Sequence, residues 1–167
     1  HEAPGRLNLF ELHGIKVIVD YAHNAHGLEA VGDFVERLTV PDGVKPPICR
    51  RIAVIATPGD RRDEDMRELG KVAARYFDEL IVREDANPRG RQRGEIAAHV
   101  MEGVEQAKPS RVQRAEIIVD ERLAIDAALT RAEPGDLVLL CVDKPADTWR
   151  DLEARRAVAR NGEQNPG

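Results

Sequence analysis

The sequence predicts an α/β fold: a mostly parallel sheet of about six strands with helices on both faces and an N-terminal antiparallel hairpin strand. Strand-like and helix-like segments alternate from residue 15 almost to the end, the pattern of strand–helix–strand units. Two strand-like runs, Ile52–Ala56 and Leu137–Val142, are apolar throughout, as expected of strands covered by helices on both faces. The 167 residues, 42% of them hydrophobic, are enough to bury the core of one domain.

The first half of the chain contains a predicted hairpin followed by helices and a buried strand. The turn-forming pair His13-Gly14 separates two strand-like runs. The helical segments carry apolar residues three and four positions apart, and acidic residues crowd the first turn of the second helix, where the helix dipole favours them. In order, the predicted elements are the strands Leu7–Leu12 and Ile15–Asp20, the helix Gly27–Leu38, the loop Val40–Pro47, the strand Ile52–Ala56 and the helix Asp63–Tyr76.

The second half repeats the strand–helix pattern three times. Asp120 is a predicted N-cap, because its carboxylate can accept a hydrogen bond from the first turn of the helix that follows. In order, the predicted elements are the strand Leu80–Arg83, the helix Arg93–Gln106, the strand Ala115–Val119, the helix Glu121–Ala132, the strand Leu137–Val142 and the helix Thr148–Ala159. We expect one domain over residues 1–159 and a disordered tail over residues 160–167.

Charge and composition argue against several classes of protein. The formal net charge of -5 argues against a nucleic-acid-binding protein. No apolar run reaches the length of a membrane span, and no signal peptide is visible. Cys49 and Cys141 belong to no CxxC or metal-spaced cluster, so we expect a cytoplasmic protein without metal ligands. The chain begins with His1 rather than Met, which predicts a fragment or a trimmed form of a longer protein.

Polar residues collect directly after three of the predicted strands. The first polar group is Asp20, Tyr21, His23 and Asn24; the second is Asp60, Arg61 and Arg62; and the third is Asp85, Asn87, Arg89 and Arg91. Because the carboxyl ends of parallel strands meet at one edge of a sheet, where open α/β sheets bind ligands, three such groups predict one site. Asp143 and Lys144 follow the last strand and border the same edge by topology.

The residue types in these groups suit anionic ligands and hydroxyl groups. Asp20 can accept hydrogen bonds from a ribose, and Arg89 can grip a carboxylate with two parallel hydrogen bonds. The chain has neither a G-x-x-x-x-G-K-[ST] loop nor a G-x-G-x-x-G turn after its first strands. It is therefore expected to supply only half of a nucleotide site.

Three motifs resemble the C-terminal domain of the Mur ligase superfamily: Pro4-Gly5-Arg6, Asp20-Tyr21-Ala22-His23-Asn24 and Asp85-Ala86-Asn87-Pro88-Arg89. The resemblance covers roughly residues 4–140. Within the superfamily it is closest to the cyanophycin synthetases, on Arg6–Leu12, Pro58–Asp65 and Arg89–Gly94. It implies a Rossmann-like mixed sheet, a preceding central domain that holds the phosphate loop, and ATP and Mg²⁺ shared between the two domains.

The resemblance also implies a reaction. These ligases activate a carboxylate as an acyl phosphate, which the amine of an amino acid then attacks; cyanophycin synthetases add arginine to the aspartate side chains of a poly-aspartate backbone. The isolated domain is expected to hold no catalytic residue, to bind no cofactor and to be inactive, and the complete enzyme is open to homo-oligomerisation. The implied roles are ATP binding for Arg6, Asp20, Tyr21, His23 and Asn24; binding of phosphate or a substrate carboxylate for Asp60, Arg61 and Arg62; and amino-acid binding for Asp85, Asn87, Arg89 and Arg91.

Alternatives stay open at this stage. The same residues suit structural roles: Asp20 as a helix cap, His23 as a structural histidine beside an N-cap asparagine, and Arg6 as a solvated charge. The segment Ala86–Arg89 looks more like the amino-acid motif of the peptidoglycan ligases that add diaminopimelate or lysine, and Cys141–Asp147 departs from the cyanophycin synthetase pattern. A peptidoglycan ligase domain, a folylpolyglutamate-type ligase domain and a non-catalytic binding module are the competing hypotheses.

Overall fold

The computed structural model describes residues 8–39 and 48–163, and over these residues the chain forms six strands and five helices. The predicted loop Val40–Pro47 lies outside the described residues. The elements are β1 Asn8–Leu12, β2 Ile15–Asp20, α1 Ala25–Leu38, β3 Arg51–Ile55, α2 Asp63–Tyr76, β4 Glu79–Val82, α3 Glu95–Gln106, β5 Arg114–Ile117, α4 Glu121–Arg131, β6 Leu137–Cys141 and α5 Pro145–Glu163.

The six strands form one mixed sheet in the order β1-β2-β6-β3-β4-β5. β1 pairs with β2 antiparallel, and the other four pairings are parallel. The predicted fold class is therefore confirmed, including the N-terminal hairpin. β6 comes last in the chain but lies between β2 and β3, with Asp20 level with Cys141, so the ends of β2 and β6 are side by side.

Helices cover both faces of the sheet and divide the core in two. Alternate strand residues face opposite sides, so Ile18 packs in the cluster that contains α1, α2 and α3 residues, whereas Val17 packs in the cluster with α4 and α5 residues. The helix after β2 and the helix after β6 therefore lie on opposite faces. Neighbouring strands whose connections leave in opposite directions open a crevice at their carboxyl ends, and here that crevice lies between β2 and β6.

Two helices, α1 and α5, begin earlier than predicted, and the residues at their N-termini explain why. Asn24 caps α1, which starts two residues earlier than predicted. α5 begins at Pro145, because proline suits the first position of a helix, where no N–H partner is needed. The same helix continues to Glu163, into the segment expected to be disordered; residues 164–167 lie outside the described part of the chain.

Two glycines bring α2 and α3 into backbone contact. A Cβ atom at Gly103 would lie 1.8 Å from the carbonyl oxygen of Arg67, and one at Gly70 would lie 2.0 Å from that of Val100. Both distances are far inside van der Waals contact. The two helices can therefore pack this closely only because neither position carries a side chain.

An arginine cluster closes the edge of the sheet opposite the crevice. Arg50 Nη1 lies 2.9 Å from Glu79 Oε1, and Nη2 donates to Asp136 Oδ2 and to the carbonyl oxygen of Arg131, both at 2.8 Å. The carboxylates are buried, with side chains 11% and 5% exposed. Through these bonds Arg50, which directly precedes β3, connects β3 to β4 and to the turn before β6.

In the part of the chain that the structure describes, every helix is too short or too polar to cross a membrane.

Candidate functional site

A cleft of about 340 Å³ opens at the carboxyl ends of β2, β3, β4 and β6. Its lining residues are Tyr21, Ala22, His23, Ala56, Pro58, Arg83, Asp85, Ala86, Asn87, Arg89, Val142 and Asp143. The cleft thus brings together members of the first and third polar groups, which are more than sixty positions apart in sequence. Asp143 lines the same cleft, as its place after the last strand predicted.

The first polar group forms a tight turn between β2 and α1. Asp20 Oδ2 accepts a hydrogen bond from the amide of Ala22 at 2.9 Å. Asn24, not Asp20, caps α1, because its Oδ1 accepts from the amide of Gly27 at 2.8 Å. The capping role considered for Asp20 therefore belongs to Asn24, and the Asp20 carboxylate, which has two acceptor oxygens, instead accepts from amides of its own turn.

His23 and Tyr21 lie together at the mouth of the cleft. His23 Nδ1 is 3.0 Å from the carbonyl oxygen of Tyr21, and since a carbonyl only accepts, Nδ1 carries the hydrogen in this contact. Nε2 is then the ring nitrogen that can meet a ligand. The Tyr21 ring is 51% exposed and meets the His23 ring edge-on, with centroids 5.1 Å apart. Arg6, the remaining residue assigned to the nucleotide, lies outside the described residues.

The third polar group contains a strained turn. The amide of Arg91 donates to the carbonyl of Pro88 at 3.1 Å, and the central residues Arg89 and Gly90 have φ of 55° and 88°, the pattern of a type I′ turn. Asn87 Oδ1 supports the turn by accepting from the Arg89 amide at 2.9 Å. Left-handed backbone suits Gly90 but costs an arginine roughly 1 kcal/mol or more. Such strain beside a cleft points to a functional role for the Arg89 side chain.

Replacing Arg89 by glycine is expected to stabilise the folded chain by about 1 kcal/mol, because glycine adopts this backbone conformation without strain. Thermal unfolding of the wild type, Arg89→Gly and Arg89→Ala measures the effect. Alanine is the control, because it removes the same side chain and keeps the strain. Equal melting temperatures for the two variants would contradict the assignment of strain to this residue.

The loops after β3 and β4 are joined into one unit. A Cβ atom at Gly59 would lie 2.1 Å from the carbonyl oxygen of Pro88, so the two backbones touch. Arg91 donates from Nε to the carbonyl of Gly59 and from Nη2 to that of Arg61, both at 2.8 Å. Across the same contact, Arg89 Nη1 is 3.6 Å from Asp60 Oδ2. These contacts hold the second and third polar groups beside each other.

The predicted cationic residues differ in their surroundings. Arg91 is outside the cleft lining, and besides its bonds to the neighbouring loop it pairs with Asp63 at 2.7 Å. Arg62 is also outside the lining; its side chain is 76% exposed and pairs with Asp65 at 3.0 Å. Arg61 lines a second hollow of about 270 Å³, which lies between the first turns of α1 and α2 and includes Asn24.

Two buried charged residues next to the cleft were not predicted as site residues. Arg83 directly follows the apolar residues Leu80–Val82 of β4, and its side chain is 3% exposed. Glu84, 1% exposed, accepts hydrogen bonds from the amides of Gly94 and Ala97, both at 3.0 Å, and so caps the start of α3. A signal for Arg83 exists in the sequence, since a charge directly after an apolar strand segment, here Leu80–Val82, lies where open α/β sheets bind ligands.

Burial shifts the pKa of several groups at this edge. It raises the pKa of Asp20, against the lowering effect of hydrogen bonds from the amides of Ala22 and Tyr21. It also raises the pKa of Cys141, to about 12, so that thiol stays protonated at neutral pH and is no nucleophile. Within residues 8–39 and 48–163, no three His, Cys, Asp or Glu side chains are grouped as for a metal ion.

Comparison with known proteins gives a consistent family. The protein family described as "Mur ligase, glutamate ligase domain" matches residues 5–142 of this chain. The cyanophycin synthetase of Synechocystis sp. PCC 6803 is 39% identical over 157 residues, covering 94% of this chain and 17% of that protein. The cyanophycin synthetase of Trichormus variabilis is 41% identical over 166 residues, covering 99% and 17%. The UDP-N-acetylmuramoyl-L-alanyl-D-glutamate--2,6-diaminopimelate ligase of Syntrophomonas wolfei is 36% identical over 138 residues, covering 82% and 26%.

Solved structures share the fold. A UDP-N-acetylmuramoyl-L-alanyl-D-glutamate--2,6-diaminopimelate ligase superposes with a TM-score of 0.65 at 21% identity, over 95% of this chain and 32% of that one. E. coli FolC in complex with ADP superposes with a TM-score of 0.66 at 24% identity, over 93% and 33%. The chain spans about a sixth of the length of the cyanophycin synthetases and about a third of these structures.

Proposed function

This chain belongs to the Mur ligase family through its glutamate ligase domain, and on that premise we propose that it is the C-terminal domain of a ligase that uses ATP to add arginine to the aspartate side chains of a poly-aspartate backbone. Its relatives are amino-acid ligases in which such a domain is one part of a longer chain. The observation that carries the proposal is the single cleft that joins the first polar group to the third.

The amino acid binds at the end of the cleft formed by the loop after β4. Arg89 takes the α-carboxylate, because its half-exposed guanidinium can form two parallel hydrogen bonds with it. Asn87 holds the turn that presents Arg89, and Asp85 takes the amine or the cationic side chain. Arg91 stabilises this pocket indirectly, because its hydrogen bonds to the backbone of the neighbouring loop hold the two loops together.

ATP binds at the end of the cleft formed by the turn after β2. The groups of this turn suit a nucleoside: the Asp20 carboxylate can accept from ribose hydroxyls, His23 Nε2 can meet a polar atom, and the exposed Tyr21 can stack on the base. The amides at the start of α1, after Asn24, suit an oxyanion, and we assign Arg6 to the nucleotide as well, as the family resemblance implies. Mg²⁺ supplies charge neutralisation at the phosphates when it is bound; the described residues present no cluster of their own for it.

The second polar group follows β3, whose place in the sheet is between β2 and β4, and its Arg61 lines the neighbouring hollow. We assign Asp60, Arg61 and Arg62 to the phosphate or to the carboxylate of the acceptor, because guanidinium groups pair with both. When the domain closes on the preceding phosphate-loop domain, water is excluded, and this protects the acyl phosphate from hydrolysis until the amine attacks.

A peptidoglycan ligase that adds diaminopimelate is the second candidate, favoured by Asn87-Pro88-Arg89 and by relatives of that activity at 36% identity. The complete protein that contains this domain decides between them. With Mg²⁺-ATP we expect phosphate release that requires both poly-aspartate and arginine. Release with UDP-N-acetylmuramoyl dipeptide and diaminopimelate instead would establish the second candidate, and release with neither pair would reject both.

Replacing Asp20 by asparagine is expected to raise the KM for ATP about fivefold and to leave the KM for the amino acid unchanged. Asparagine offers one neutral amide oxygen in place of two charged ones, and the amides of the turn compete for it, so it is a weaker acceptor for the ribose hydroxyls. Since burial raises the pKa of Asp20, the folded state binds its proton more tightly than the unfolded state does, and ionisation costs stability as the pH rises through that pKa.

The asparagine variant is therefore expected to melt at the same temperature as the wild type or higher at pH 7. Steady-state kinetics with each substrate varied in turn, together with a thermal melt, measure both effects. An unchanged KM for ATP would refute the ribose role of Asp20.

A further inference from the structure

Arg83 lies at the floor of the cleft and is bound from three sides. Its Nε and Nη2 donate to the carbonyl oxygen of Cys141, at 3.3 and 2.9 Å. Nη1 is 3.0 Å from Asp85 Oδ1 and 3.1 Å from Glu121 Oε2, and Nη2 is 3.8 Å from Asp143 Oδ1. One guanidinium thus connects the ends of β4 and β6 with the first turn of α4.

This cluster holds more negative than positive charge. One cation faces three carboxyl groups, so the acidic groups outnumber the basic one, which is costly in a half-buried site unless a further cation joins it. The pKa of Asp143 reflects this excess of acidic groups: burial and the neighbouring Asp85 raise it, against the lowering effect of Arg83. Arg83, Asp85 and Asp143 all line the cleft.

The cluster around Arg50, at the opposite edge of the sheet and away from the cleft, is a useful comparison for the cluster around Arg83. Arg50 also binds two carboxylates and a backbone carbonyl, but those carboxylates are 11% and 5% exposed. Around Arg83 the corresponding side chains of Asp85, Glu121 and Asp143 are 21%, 35% and 53% exposed. The surplus charge at Arg83 is therefore open to the cleft.

We infer that Arg83 is a positioning residue of the amino-acid pocket: it holds Asp85 by a hydrogen bond at 3.0 Å and attracts Asp143 by charge at 3.8 Å, so that both carboxylates face the cleft and receive the cationic part of the incoming amino acid. The inference rests on the proposed function and deepens it, because it assigns a second carboxylate, Asp143, to substrate selection. Arg89 takes the carboxylate of the amino acid, and the pair held by Arg83 takes its positive charge. A pocket of this kind selects amino acids with a cationic side chain over neutral ones.

Kinetics of the complete enzyme test this inference with four variants. Arg83→Gln is expected to raise the KM for the amino acid about tenfold and to change the KM for ATP less than twofold. Arg83→Lys keeps the charge without the planar fork and is expected to lie between that variant and the wild type. Arg50→Gln is the matched control, expected to lower the melting temperature comparably while changing neither KM. Asp143→Asn removes an exposed carboxylate, so it is expected to keep the melting temperature and to raise the KM for the amino acid.

The outcomes separate the inference from the proposed function. If the wild type turns over but Arg83→Gln behaves like Arg50→Gln, or raises both KM values equally, the positioning role is wrong and the ligase function stands. If Arg83→Gln does not fold, Asp143→Asn decides: an unchanged KM for the amino acid overturns the inference. If the wild type shows no turnover that depends on an amino acid, the proposed function fails and the inference fails with it.

Discussion

Replacing Arg89 by alanine in the complete enzyme is expected to raise the KM for the amino acid about 10- to 100-fold and to change the KM for ATP less than twofold. A hydrogen bond to a charged group contributes roughly 1.5–3 kcal/mol, and about 1.4 kcal/mol corresponds to a factor of ten in affinity. Arg89 has few competing partners in the described structure, since its guanidinium is half exposed and its contact with Asp60, at 3.6 Å, is long.

The measurement is a set of initial rates with the amino acid and ATP varied separately. Arg75→Ala is the control. Arg75 is exposed and lies at the far end of α2, and its replacement removes the same charge from the molecule. Its two KM values are expected to match those of the wild type. Equal increases of both KM values in Arg89→Ala would show that Arg89 serves the site as a whole, and the assignment to the amino acid would be wrong.

Replacing Gly103 by alanine is expected to destabilise the folded chain by about 3 kcal/mol, or roughly 10 °C in melting temperature. The new Cβ would lie 1.8 Å from the carbonyl oxygen of Arg67, so α2 and α3 must separate. Separation opens the interface in which Met66, Leu69, Ile96 and Val100 are fully buried, and the lost packing is the main cost.

Helix propensity predicts the opposite sign, which makes this test sharp. Alanine is favoured over glycine in a helix by about 1 kcal/mol, so propensity alone would raise the melting temperature. Ala98→Gly, at an exposed position of α3, calibrates that effect and is expected to cost about 1 kcal/mol. A Gly103→Ala variant as stable as the wild type would mean that the two helices do not pack as closely as described.

The sequence predicted strands and most helices to within about two residues, because apolar periodicity and caps are local signals. Asp120 was identified as an N-cap, and its carboxylate accepts from the amide of Leu123. The start of α5 was missed since Pro145 looked like part of a loop. Periodicity has no means of distinguishing a proline that ends one segment from one that begins a helix.

The candidate site was predictable where it follows from topology and not where it depends on packing. Tyr21, Asp85 and Arg89 were expected to meet because parallel strands end at one edge, and they line one cleft. The sequence predicts Arg83 as a strand residue and does not show that it is buried among three carboxylates. The bonds of Arg91 to the loop after β3 were also out of reach, because they depend on the closeness of two loops thirty residues apart.

The contacts between the loops after β3 and β4 limit how loops can be exchanged between relatives in a chimera. Gly59 touches Pro88, and Arg91 binds the backbone of the neighbouring loop at two points. A chimera that takes only residues 84–94 from a relative with another substrate would break these contacts at the graft boundary. Residues 58–62 should therefore be exchanged together with residues 84–94, because under the proposed function the amino-acid pocket depends on both loops.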